Sequence, residues 1–139
     1  MSRLDRELLA EKAALIERHL SRVAERLPDD PEDFHPMSDA SAVVILHLWR
    51  AVQAVIDLAT SACLHFNLGT PGNYGEAFKR LAEAGYLERD LATRLVQAAG
   101  FRNVLVHAYE ELEMDRVYRA AQNGPGDLRA FLATLQRSV

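Results

Sequence analysis

The chain has 139 residues and a single cysteine, its composition is 49% apolar and 26% charged, and its net charge is −4. That is the size and make-up of one globular domain with a buried core, and the lone Cys63 excludes an internal disulfide, which fits a cytoplasmic protein. Asp29, Asp30, Glu32 and Asp33 account for the whole charge imbalance, so the chain lacks the basic face that grips duplex nucleic acid by bulk electrostatics. A small phosphate site built from a few arginines remains open. No run of about 18 apolar residues predicts a membrane span, and the N-terminus has no signal-peptide core.

Residues 3–27 place Leu4, Leu8, Leu15, Ile16, Leu20, Val23 and Leu27 mostly three, four or seven apart, which predicts an amphipathic helix. Ser2 can cap its start and Pro28 ends it. The other face is rich in Glu, Arg and Lys and reads as solvated, with His19 expected on that surface. Pro28, Pro31 and Pro36 forbid a continuous helix between them, so this acidic stretch is a loop, either a variable one or a contact for a partner. His35 within it has no evident mate.

Residues 39–67 predict a second long helix, capped by Ser38 or Ser41 and ended by Gly69 with Pro71 following. Its apolar residues, from Val44 to Cys63, cover two adjacent faces, which requires burial against more than one neighbour. Cys63 reads as a small buried apolar residue, and His47 and His65 as caps or core members. Arg50 and Asp57 fall about 20° apart on this helix. They either pair with each other or look into a pocket shared with Arg102. Asn73 followed by Glu76 is a capping-box-like pair opening a short helix that Gly85 closes. A further helix carries Leu91, Leu95, Val96, Ala99 and Phe101. Beyond the acidic residues 110–113, a helix is expected near 114–122, a break at Asn123-Gly124-Pro125-Gly126, and a last helix over 128–137 capped by Asp127. No segment alternates as a strand does. The reading is all-α: one domain over residues 1–139, an antiparallel bundle of about five to six helices.

One run gathers most of the chemistry: Gly100-Phe101-Arg102-Asn103-Val104-Leu105-Val106-His107-Ala108-Tyr109. Its polar side chains sit among apolar ones, and a buried charge or imidazole without a partner is costly. On a helix, Arg102 and Tyr109 lie about 20° apart while His107 points about 140° away from Arg102. The three cannot form one row, so a joint site needs a second wall, which a two-fold dimer would provide. Arginine offers a planar fork for phosphate, histidine moves protons near neutrality, and no ligand cluster calls for a metal or other cofactor. Arg with His suits cleavage of a ribose phosphodiester by its own 2′-hydroxyl. A structural Arg with a helix-end His fits the same spacing.

The run resembles the signature of the HEPN-domain toxins of the HepT type, partners of MNT-type nucleotidyltransferase antitoxins. Asn73-Tyr74-Gly75-Glu76-Ala77-Phe78, Leu81, Gly85, Asp115, Val117 and Tyr118 extend the resemblance over about residues 38–122. It implies a HEPN helical bundle acting as a homodimer with its site at the dimer cleft, and a metal-independent ribonuclease that cuts RNA. It further implies Arg102 and His107 as catalytic groups, Asn103 as their polar helper, and Tyr109 as the acceptor of AMP transferred by the antitoxin. The acidic loop at 28–36 lies outside the signature. The competing reading is a non-catalytic helical dimer that binds a nucleotidyltransferase partner or a nucleotide.

Overall fold

The computed structural model describes residues 4–106 and 113–139, apart from the side chains of Asn103 and Val106. These form five α-helices and no strand: α1 Arg6–Arg26, α2 Asp39–His65, α3 Tyr74–Glu83, α4 Arg89–Val106 and α5 Met114–Ser138, with a one-turn 3-10 helix at Pro31–Asp33.

Helix α1 is capped by Asp5, whose carboxylate accepts the Leu8 N–H at 2.8 Å, rather than by Ser2, which lies outside the described residues. It stops at Arg26 because Leu27, held extended at φ −72° and ψ 119°, precedes a proline that disfavours helical backbone before it. Helix α2 begins at Ser38, whose hydroxyl oxygen accepts the Ser41 N–H at 3.1 Å. It touches all four other helices, which explains the apolar coverage of two adjacent faces. Its most apolar 18-residue window has a mean hydropathy of 1.6, enough by length and composition to cross a bilayer, although no span was expected from the sequence. Half of that window is buried within the protein, and the helix is the centre of the bundle.

The end of α2 departs from expectation. Asn67, not Gly69, takes the left-handed turn after the helix, at φ 60°. The Leu68 N–H reaches the Cys63 carbonyl at 2.8 Å and the Asn67 N–H the Leu64 carbonyl at 3.2 Å, the paired bonds of a Schellman ending. Gly69 serves a different need. It has φ +85°, and a Cβ there would stand 2.6 Å from Arg80 Nη1, which donates to the Leu68 carbonyl at 2.7 Å. Helix α3 follows the expected pattern. The Asn73 side chain accepts the Glu76 N–H at 2.9 Å, the Glu76 carboxylate accepts the Gly72 N–H in return, and Gly85 closes the helix at φ +86°. Gly75 lets α3 lie close on α4, since a Cβ there would sit 3.2 Å from Val96 Cγ1.

The core has two parts. The larger joins all five helices around Ile16, Leu20, Ile56, Phe78, Leu95 and Phe131. The smaller gathers Val23, Phe34, Leu48, Leu105, Val117 and Tyr118 near the end of α4. The acidic loop is tied to the smaller part. Phe34 is buried edge-on to Tyr118 at 5.7 Å, and the Tyr118 hydroxyl donates to the Pro28 carbonyl at 2.6 Å, with the Asp29 carbonyl at 3.0 Å. The carboxylates of Asp29, Asp30, Glu32 and Asp33 stay exposed. Cys63 is fully buried, as expected, its thiol directed at the Ala77 carbonyl at 3.4 Å and pushed up in pKa by burial.

His19 and His47 are neither a surface residue and a cap nor core members. They join α1 to α2 through Nδ1 atoms 2.9 Å apart, both half-buried. One ring must donate and the other accept, so at least one is neutral. Burial above all, then His47, Arg50 and Arg18, holds His19 below the usual imidazole range; burial, then Arg22 and Arg50, does so for His47.

The largest correction concerns α5. The expected break at 123–126 is absent and one helix runs through Pro125. An interior proline costs about 3 kcal/mol through the missing N–H and the clash with the preceding turn. Against it stand Val117 and Ala121 before the proline and Leu128, Phe131, Leu132 and Leu135 after it, all buried, each large apolar side chain contributing about 1.5–3 kcal/mol. Breaking the helix would pull one half off the core. Asp127, expected as a cap, instead accepts from Arg94 Nε at 2.9 Å and ties α5 to α4. Pro125→Ala should therefore raise the stability by about 2 kcal/mol, the full helix gain less the entropy that proline removes from the unfolded chain. Urea unfolding reads this directly, and a lowered midpoint would show that the helix depends on the proline ring.

Candidate active site

The last turns of α4 are anchored by Leu95 and Ala99 in the larger core and by Leu105, 1% exposed, in the smaller. Arg102 stands between these anchors, half-buried, and turns towards α2 and α3. Its Nε donates to Gln53 Oε1 at 2.6 Å. Gln53 Nε2 donates in turn to Asp57 Oδ1 at 3.1 Å. The guanidinium carbon lies 5.9 Å from the Trp49 ring centre and 5.2 Å from that of Tyr74. Trp49, Gln53 and Asp57 are four apart along α2, so they form one row on its surface. Tyr74 comes from the first residue of α3, brought near by the close packing at Gly75.

These contacts define the arginine well. A hydrogen bond to a charged group contributes about 1.5–3 kcal/mol and each cation–π contact about 0.5–1 kcal/mol or more. Together they match or exceed the roughly 2 kcal/mol of rotamer entropy in a long cationic side chain. The Trp49 indole N–H is buried and has no acceptor among the described residues.

Arg50 and Asp57 line a common groove of about 590 Å³ between α1 and α2, together with Lys12, His19, Trp49 and Gln53. They are not bonded to one another among the described ion pairs, and Asp57 is engaged by Gln53 instead. The groove joins Arg102 through Gln53, which faces both. A second groove of about 560 Å³, between α4 and α5, is edged by Arg94, Arg116 and Arg119 and floored partly by Phe101. Arg116 lies 5.1 Å over the Phe101 ring and bonds Glu113 at 3.2 Å. Two of the three cations of this second groove are already matched by carboxylates, Arg94 by Asp127 at 2.9 Å and Arg116 by Glu113.

Asn103 continues the helix, but its side chain is not described, and His107 and Tyr109 lie outside the described residues. Gln53, Trp49 and Tyr74 were missed as site residues in the sequence reading. The available signal was a row of Trp, Gln and Asp four apart on a helix otherwise assigned to the core.

A family profile described as ribonuclease HepT-like matches residues 16–135. The chain is 28% identical over 130 residues to the mRNA nuclease HepT of Shewanella oneidensis, covering 94% of this chain and 97% of that protein. Its structure resembles the tri-AMPylated Shewanella oneidensis HEPN toxin in complex with MNT antitoxin, with a TM-score of 0.83, 29% identity and coverage of 93% of this chain and 96% of that one. A toxin–antitoxin complex with AMP-PNP gives a TM-score of 0.79 at 29% identity, covering 91% and 95%. With a match that runs from within α1 to within α5 and contains the whole Arg102 run, on an all-helical bundle that follows solved HEPN toxins, the chain belongs to the ribonuclease HepT-like family.

Proposed function

We propose that this protein is the toxin of a HEPN/MNT toxin–antitoxin pair, a cytoplasmic endoribonuclease that cuts RNA without a metal ion and is silenced by AMP transfer to Tyr109. The observation that carries the reading is the held guanidinium of Arg102 at the end of α4, inside a run that also supplies His107, in a chain of the ribonuclease HepT-like family. The 2′-hydroxyl of the substrate attacks the adjacent phosphorus while the bond to the 5′-oxygen breaks. His107 moves the proton between these oxygens, directly or in two steps. Arg102 stabilises the charge that builds on the non-bridging oxygens, and Asn103 helps to orient the phosphate. The products are a 2′,3′-cyclic phosphate and a 5′-hydroxyl. A homodimer supplies the second wall of the site.

The partner is an MNT-type nucleotidyltransferase, as in the complex of the Shewanella oneidensis toxin. Each AMP added to Tyr109 brings a phosphodiester charge and a bulky nucleoside beside Arg102 and His107. The anion competes for the place of the RNA phosphate and repels it.

Purified protein should cleave RNA in excess chelator, and Arg102→Ala or His107→Ala should each slow the reaction by about a hundredfold or more. Intact RNA with unmodified wild-type protein, or equal cutting by both variants, would overturn the ribonuclease assignment; a chelator-dependent loss would overturn metal independence alone. After co-expression with the nucleotidyltransferase, intact-mass spectrometry should show a gain of whole AMP units that maps to Tyr109 and disappears in Tyr109→Phe. An unshifted mass would remove the silencing claim.

A further inference from the structure

We infer that Gln53 is the positioning residue for Arg102, with Asp57 setting the orientation of the Gln53 amide. The inference rests on the proposed role of Arg102 at the RNA phosphate and adds to it a fixed direction of approach.

Three features of the geometry lead there. The Arg102 Nε–H is committed to Gln53 Oε1 at 2.6 Å, a short, charge-assisted bond. It fixes rotation about the bond between Cδ and Nε, and with it the direction of the edge formed by Nη1 and Nη2, the edge that grips a phosphate end-on. Next, the Gln53 amide has only one workable orientation. Its Nε2 donates to Asp57 Oδ1 at 3.1 Å; reversing the amide would set N–H against the Arg102 N–H and oxygen against the Asp57 carboxylate. Finally, the Trp49 and Tyr74 rings, 5.9 and 5.2 Å from the guanidinium carbon, restrain its tilt. Asp57 itself is exposed at the groove, so the orienting carboxylate stays solvated while the neutral amide touches the arginine.

A neutral amide suits this task better than a carboxylate. It takes the Nε–H without placing a further negative charge beside the guanidinium. A glutamate at position 53 would hold the arginine as firmly but screen it, and would repel Asp57. This separates geometry from charge in two substitutions.

The experiment compares wild type, Gln53→Ala, Gln53→Glu and Arg102→Ala in RNA cleavage, alongside the NMR signal of the Arg102 Nε–H in isotope-labelled protein. Gln53→Ala should lower kcat by about tenfold with KM within about twofold, matching the loss of one hydrogen bond to a charged group, and should shift and broaden the Nε–H signal. Gln53→Glu should keep a sharp Nε–H signal while kcat still falls. If wild type cuts, Arg102→Ala does not, and Gln53→Ala cuts like wild type or leaves the signal in place, the positioning role is overturned and the ribonuclease reading stands. If wild type does not cut, the ribonuclease reading fails, and the NMR signal alone decides whether Gln53 orients Arg102. An unmoved signal in Gln53→Ala overturns the inference in either case.

Discussion

The structure depends on the burial of α2. A 27-residue helix that touches all four of the others cannot shift or rotate without opening the core on several sides, and close-packed interiors resist such movement. Its row of Trp49, Gln53 and Asp57, which runs from the smaller core out to solvent, is therefore fixed relative to the end of α4. Arg102 gains a defined direction from that row. A long arginine on a loosely held surface would sample many rotamers; here it meets a hydrogen bond and two rings carried by packed helices.

The rest of the fold keeps the other wall in place. Gly75 lets α3 lie against Val96 of α4, which puts Tyr74 beside the guanidinium. Gly69 leaves room for Arg80 to hold the connection between α2 and α3. Leu105 and the small core around Tyr118 seat the last turn of α4, and the same tyrosine pins the acidic loop through two carbonyls. The loop thus has an anchored base at Phe34 and an exposed rim of four carboxylates. Such a rim suits contact with a basic partner.

Much of this was legible in the sequence because helices announce themselves through spacing and caps. The period of α1, the two apolar faces of α2, the Asn73–Glu76 cap and the turn at Gly85 all follow from local chemistry. The failures are also local rules, overridden by packing. Gly124-Pro125-Gly126 reads as a break, yet apolar side chains on both sides of it bury on one core and hold α5 straight through. Gly69 looks like a terminator, but Asn67 reaches the turn first. His19 reads as solvated because its partner, His47, is 28 residues away on another helix. The site was half legible for the same reason. Arg102, a residue in a motif, stands out; Gln53 does not, since a glutamine on a helix carries no signal until the fold sets it 2.6 Å from an arginine 49 residues away.

The central claim is that Arg102 acts as an oriented planar fork and not as a mere positive charge. Arg102→Lys tests it most directly, because lysine keeps the charge but can neither present a fork nor donate from an Nε–H to Gln53 in the same geometry. Measured by the initial rate of RNA cleavage, the account predicts that the lysine variant falls by about a hundredfold, close to the alanine variant. A lysine variant that cuts within about threefold of wild type would contradict it, since charge alone would then suffice.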